Sequence, residues 1–154
     1  MPLAPAQISE AAVIVATGTG RMGFLGITTI GGGAPDITTS ISVVLTVTVN
    51  VVNTRWYEIN AYATGSWVTA NGVGTLRIVQ GASTGSTELT RLPELQGGGQ
   101  PTIVVGQGTA GVGTVAWQAG STGSQSFSIT GVTSGGALRI TAGNAYIYVK
   151  DLGT

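Results

Sequence analysis

The chain has 154 residues, six basic and six acidic side chains, no histidine and no cysteine. This length suggests one domain, large enough to bury a core without metals or disulfides. The lack of cysteine excludes disulfides and thiolate sites, the lack of histidine removes the commonest general base and metal ligand, and the zero net charge gives no electrostatic argument for nucleic acid or an anionic membrane.

Residues 1–10, "MPLAPAQISE", carry Pro2 and Pro5 and show no alternation. An extended arm over 1–11 ahead of a single domain over 12–154 is the expected organisation. The first basic residue is Arg21, so no basic region precedes the early apolar run and a signal peptide is not expected. That run, "AAVIVA" (Ala11 to Ala16), is too short to span a bilayer and predicts a strand over Ala12 to Thr17.

Next comes "DITTSISVVLTVTVNVV", in which Ile37, Ile41, Val43, Leu45, Val47, Val49 and Val51 share one parity and polar residues fill most of the other. Such alternation marks a half-buried antiparallel strand. At ~3.3 Å per residue it would run over roughly 50 Å, too long for one straight strand, so it must bend, bulge or switch sheets. "VNT" (Val52 to Thr54) predicts a turn into a strand over Arg55 to Thr64. Further strands are expected over Leu76 to Gln80, Thr102 to Val105, Thr114 to Ala119, Gln125 to Val132, Ala137 to Thr141 and Ala145 to Lys150. The punctuation is "TGTG", "GGGAPD", "GASTGS", "QGGGQP", "AGSTGS" and "TSGG". "STELTRLPEL" (Ser86 to Leu95) reads either as a strand broken at Pro93 or as a longer loop. Many short strands with such turns predict an all-β antiparallel sandwich or jelly-roll.

Three stretches share a frame: "NGVGTLRIVQG", "AGVGTVAWQAG" and "SGGALRITAG". A phosphate loop follows a strand and opens a helix, whereas "GVGT" leads into alternating, β-branched sequence, and the only lysine is Lys150. The uneven spacing also excludes a solenoid, which needs a fixed period. The frame is a strand with glycine at its ends. It places Leu76/Ile78, Val115/Trp117 and Leu138/Ile140 inward, and Arg77, Ala116 and Arg139 on the opposite parity.

Without histidine or cysteine, neither the Ser-His-Asp nor the Cys-His arrangement can be built, nor a zinc site of the usual type. A carboxylate pair remains chemically open, but Glu88 and Glu94 lie in polar, turn-rich sequence where solvated acids are the norm. "GGGAPD" offers one acid, too few for calcium. No cofactor and no metal are expected.

The aromatic residues say more. In "RWYEINAYATGSW", Tyr57, Ile59, Ala61 and Ala63 take the core parity, Trp56, Glu58, Asn60 and Tyr62 take the other, and Trp67 is expected in the following turn. In "AYIYVKDLG", Ile147 and Val149 point inward while Tyr146, Tyr148 and Lys150 point outward. The outward set has the composition of a contact surface. Three uses fit it: closing a core edge, a protein interface, or a platform for sugar. Charged residues make up 8% of the chain against a usual ~25%, which protects poorly against self-association. Such a surface suits coverage by neighbours, or a soluble β protein coated in Ser and Thr.

At "RWYEINAYATG" (Tyr57, Ile59, Ala61, Tyr62, Ala63) and "NAYIYVKDLGT" (Tyr146 to Gly153) the chain resembles small all-β virion proteins of tailed bacteriophages, especially those infecting actinobacteria. The resemblance covers roughly residues 40–152. It implies a non-enzymatic structural role on the virion: a capsid decoration or minor capsid protein that binds the major capsid protein and forms a homo-oligomer, with a trimer favoured, or else a tail-associated protein binding host glycan. The contact residues expected on this reading are Trp56, Glu58, Tyr62, Trp67, Tyr146 and Tyr148, with Pro2 and Pro5 of the arm.

Overall fold

A computed structural model describes residues 23–31, 36–69, 72–92, 95–96 and 108–154. The expected arm with Pro2 and Pro5, the strands expected over Ala12 to Thr17 and Thr102 to Val105, the turn at 17–20, and most of those at 31–36 and 96–101 lie outside the described residues. The described residues form ten strands and no helix: β1 (Gly23–Thr29), β2 (Asp36–Ile37), β3 (Ser42–Val51), β4 (Trp56–Thr69), β5 (Val73–Gln80), β6 (Thr87–Arg91), β7 (Leu95–Gln96), β8 (Gly108–Gln118), β9 (Gly123–Thr133) and β10 (Ala137–Gly153).

Two sheets pack face to face. The first has the order β1-β10-β4-β8, with β2 added against β10; the second has the order β3-β9-β5-β6, with β7 added against β5. Four antiparallel pairs are nested in sequence: β1 with β10, β3 with β9, β4 with β8, and β5 with β6. They amount to one long hairpin. It is rolled so that β10 also pairs with β4 and β9 with β5. The result is a jelly-roll, the double-sheet form of the β-sandwich expected from the alternation.

Parity explains most of the core. Tyr57, Ile59, Ala61 and Ala63 from β4, Leu76 and Ile78 from β5, and Ile147 and Val149 from β10 are at most 1% exposed. Phe127 and Ile129 of β9, in the same sheet as Leu76 and Ile78, face the β4 and β10 residues of the first sheet, and Trp117 of β8 packs edge-on against Phe127 with ring centroids 5.1 Å apart. Val115 and Trp117 are only half-buried, because β8 is an edge strand.

The long alternating segment switches sheets. β2 pairs with β10 in the first sheet, and after Thr38–Ile41 the chain continues as β3 in the second. Ile37 is fully buried at the crossing. It lies over Gly131, where a Cβ would come 2.5 Å from Ile37 Cδ1 and 3.0 Å from Leu76 Cδ2. Thr133 N–H donates to Thr38 O at 2.8 Å, and Arg139 donates to both carboxylate oxygens of Asp36 at 2.7 and 2.9 Å. Ile41, which parity places inward, is instead 42% exposed, because it lies in the crossing and belongs to neither sheet. Val44 breaks the alternation at a register shift between Val43 and Leu45, a bulge that buries two successive side chains.

Two further differences concern β10 and β8, and the reading left open over 86–95 is decided. The two strands expected over Ala137 to Thr141 and Ala145 to Lys150 are one strand, β10, interrupted by a bulge between Ile140 and Ala145. Gly143 takes φ 77° there, and the bulge moves the buried set from even to odd positions. Gly111 and Gly113 lie inside β8 and do not mark its start, whereas Gly81, with φ 129°, does end β5. Residues 87–91 are a strand, followed by buried Leu92.

At the open end of the first sheet, Arg55 Nε donates to both oxygens of Asp151 at 2.9 and 3.1 Å, and Gly153 N–H donates to Asp151 Oδ1 at 2.8 Å. Tyr57 Oη accepts from Val52 N–H at 2.8 Å, which ties the β3–β4 turn to the same place. Ile37→Ala should lower stability by about 2–5 kcal/mol, and Gly131→Ala by about 1–3 kcal/mol through overpacking against Ile37. If the two sites interact as the geometry requires, the double variant will cost less than the sum of the singles, as read by denaturant unfolding.

Candidate contact face

The outward side chains of the first sheet form one surface. Register places Lys150 opposite Glu58, Tyr148 opposite Asn60, and Tyr146 opposite Tyr62 between β10 and β4. On one side, β1 adds Phe24 opposite Lys150, Ile27 opposite Tyr148 and Thr29 opposite Tyr146. On the other, β8 adds Gln118, Ala116 and Thr114 opposite Trp56, Glu58 and Asn60. Directly opposed residues share a face, so these positions are neighbours.

The rings form a continuous row across three strands. Tyr62 stacks on Tyr146 at 5.4 Å, Tyr146 on Tyr148 at 6.0 Å, and Phe24 tilts against Tyr148 at 5.5 Å. Trp56 stands at the end of the sheet, 44% exposed. Phe24, at 44%, and Ile27, at 41%, complete the exposed large apolar residues of this face; the two other exposed ones among the described residues, Ile41 and Val52, lie in connections.

Polar groups are set between the rings. Tyr148 Oη donates to Glu58 Oε1 at 3.3 Å. Burial, reinforced by the negative charge and hydrogen bond of Glu58, raises the Tyr148 pKa above its ordinary value. Asn60 Nδ2 donates to Thr114 Oγ1 at 2.5 Å, while Asn60 Oδ1 is buried without a partner. Lys150 is exposed.

The outer face of the second sheet differs in chemistry. Thr46 pairs with Ser128 and Thr48 with Ser126, both at 2.8 Å, and Gln80 donates to Gln125 at 3.2 Å. These pairs satisfy one another across the strands, whereas Arg77 Nε is buried without a hydrogen-bond partner. Arg77 and Arg91 share Glu88 at 3.3 and 2.7 Å on β5 and β6. Arg77 and Arg139, placed alike by parity, therefore belong to different sheets; Arg139 pairs with Asp36 on the first.

Most of the expected contact residues come together: Trp56, Glu58, Tyr62, Tyr146 and Tyr148 share the outer face of the first sheet. Trp67 does not. The turn expected at "TGS" does not form, because β4 continues to Thr69, and Trp67 is an inward residue only 1% exposed. Gly65 permits this: a Cβ there would meet Arg139 O at 2.8 Å and Leu138 Cδ1 at 3.1 Å, so the glycine that reads as a turn serves a close strand approach. Phe24 and Ile27 were not among the expected contacts. They have opposite parity, and only the bulge at Leu25 puts both on one face.

Among the described residues, no three acidic side chains converge as a metal site would require. Asp36, Glu88 and Asp151 are each held by arginine, and Glu58 by Tyr148. No family matches the chain, and no curated protein does. Among solved structures it is similar to one titled "Structure of Eiger TNF from S. frugiperda", at 12% identity with a TM-score of 0.42. The match covers 68% of this chain and 64% of that one, under two thirds of the latter's length.

Because the Tyr148 pKa is raised, the stability tied to its protonated form is complete below the unfolded tyrosine pKa and is lost as pH rises through the folded one. An ultraviolet titration of the phenols, compared with that of Tyr148→Phe, should show that Tyr148 ionises above the ordinary tyrosine range. Glu58→Gln should lower its midpoint only in part, since burial is the larger cause. A titration identical in Glu58→Gln would contradict the coupling.

Proposed function

We propose that this chain is a non-enzymatic structural protein of a virion, a capsid decoration or minor capsid protein that binds the major capsid protein on the outer surface of the shell and stabilises it as an oligomer, with a trimer favoured. The observation that carries this reading is the aromatic outer face of the first sheet, where Phe24, Ile27 and Trp56 are each more than 40% exposed. Large apolar side chains grouped on one face of a sandwich mark a surface that works covered. The strand motifs at Tyr57 to Ala63 and Tyr146 to Gly153 direct the reading to phage virion proteins. The scarcity of charge agrees with a protein packed among neighbours.

The mechanism is linkage. A protein that binds the assembled shell and not its dissociated subunits stabilises the shell in proportion to occupancy. Trp56, Tyr62, Tyr146 and Tyr148 supply rigid area, and Glu58 and Asn60 supply hydrogen-bonding groups between them. Trp67 belongs to the core and takes no part.

A second reading, a tail-associated module binding host glycan, is favoured by one detail: the stacked rings of Tyr62, Tyr146 and Tyr148 form a platform on which a sugar ring can pack. Labelling intact virions locates the chain on head or tail. On purified shells, Trp56→Ala should weaken binding by at least about tenfold without altering the unfolding temperature of the free protein. Unchanged occupancy would remove the face from the shell contact, and selective glycan capture lost in Tyr62→Ala would favour the tail reading.

A further inference from the structure

We infer that the β6 edge of the second sheet docks an acidic, extended segment of a partner polypeptide, which adds to β6 as a strand and sets a carboxylate against Arg91 and Arg77. The inference concerns the sheet opposite the aromatic face and does not depend on what covers that face.

Charge gives the first argument. Among the described residues, charges elsewhere are balanced one to one: Arg55 with Asp151, Arg139 with Asp36, and Lys150 opposite Glu58. The exception is on β5 and β6, where Arg77 and Arg91 share the carboxylate of Glu88 at 3.3 and 2.7 Å. Glu94 lies outside the described residues. Within the described residues, this corner therefore holds the unbalanced charge, and it is positive.

Register gives the second. Arg77 stands directly opposite Arg91, and like charges so placed repel. Glu88 stands in the next row, opposite Val79, because the ladder shifts between Ile78 and Val79. It reaches both guanidinium groups from the side and leaves their own row without an anion. Arg77 Nε is buried with no hydrogen-bond partner, so its charge is incompletely met. The Arg91 side chain is 62% exposed and open to a ligand.

The backbone gives the third. β6 is an edge strand, and among the described residues it pairs with β5 alone. Such an edge presents backbone donors and acceptors to an extended peptide. A strand added ~4.8 Å beyond β6 would continue the row Thr130, Arg77, Arg91, and a glutamate at the next place would complete it. In the neighbouring row, Ser128, Val79, Glu88, an acid would be repelled. The fitting segment therefore has an acid at one outward position and a neutral or basic residue at the next. Nucleic acid fits less well, since the corner has a single excess cation and the chain has zero net charge.

Fluorescence anisotropy of the full chain with a labelled synthetic peptide tests the inference, the peptide alternating threonine and valine around one glutamate. Binding should saturate, weaken as salt rises, weaken at least about tenfold in Arg91→Gln, and tighten in Glu88→Gln. A peptide with glutamine in place of the glutamate should bind at least about tenfold less well. Methylating alternate backbone amides of the peptide should also weaken it, because the added strand could no longer join the ladder. Circular dichroism melting shows that each variant remains folded. Absence of binding overturns the inference, as does binding that Arg91→Gln leaves unchanged. Binding indifferent to amide methylation, or displaced equally well by inorganic phosphate or a single-stranded oligonucleotide, reveals a bare anion site and overturns strand docking. None of these outcomes bears on the aromatic face, whose shell contact is read separately from Trp56→Ala.

Discussion

The architecture depends on one pairing, that of β10 with β4. It runs from Trp56 opposite Gly153 to Thr69 opposite Ala137, and it is what converts a long nested hairpin into a rolled sandwich. β10 already pairs with β1, and β4 with β8; joining the two pairs completes the first sheet. It also aligns the inward rows Ala61/Ile147 and Ile59/Val149 to build the core. The same register sets the outward rows Tyr62/Tyr146, Asn60/Tyr148 and Glu58/Lys150. Because side chains alternate with a period of two, core and contact face are fixed by one ladder. A slip of one residue would bury Glu58 and expose Ile59.

This coupling explains what could be read from the sequence. Where a strand stays in register, parity alone located the core and the face: Tyr57 to Ala63 inward, Trp56 to Tyr62 outward, and Ile147 and Val149 against Tyr146 and Tyr148. Where the backbone inserts a residue, parity inverts and the reading fails. The bulge around Gly143 made one strand look like two, and the bulge at Leu25 hid the fact that Phe24 and Ile27 share a side. Ile41 was misplaced because the chain there is changing sheets. Trp67 was misplaced because Gly65 resembles a turn signal, and its purpose is visible only once Leu138 and the Arg139 carbonyl are seen against it. These errors arise where distant strands decide the geometry, and no local pattern encodes that.

The two outer faces show how a chain poor in charge divides its surface. One is a lattice of hydroxyl and amide pairs with an arginine corner at its β6 edge. The other is aromatic, neutral and internally stacked. Threonine and serine pairs satisfy hydrogen bonds across the strands, and Ser128 and Thr130 are already buried there. The aromatic row cannot be satisfied that way; its gain comes from removing it from water. The sandwich is thus chemically polarised by sheet, with little help from net charge or from its connections.

The clasp at the open end of the first sheet bears on how the molecule responds to force. β1 begins at Gly23, opposite Asp151, so the start of β1 and the end of β10 emerge at the same end of one antiparallel pair. Tension between them would peel the two strands apart one hydrogen bond at a time, the mode in which a β pair yields most easily. Arg55, bound to Asp151, joins the end of β10 to the start of β4, on the side away from β1, so that tear leaves this contact intact. A pull that draws the end of β10 away from β4 must instead break the charged contact first. Force applied across the face would instead be shared by many strand bonds at once. The arginine thus guards the seam between β10 and β4, and leaves the seam between β1 and β10 to its own ladder.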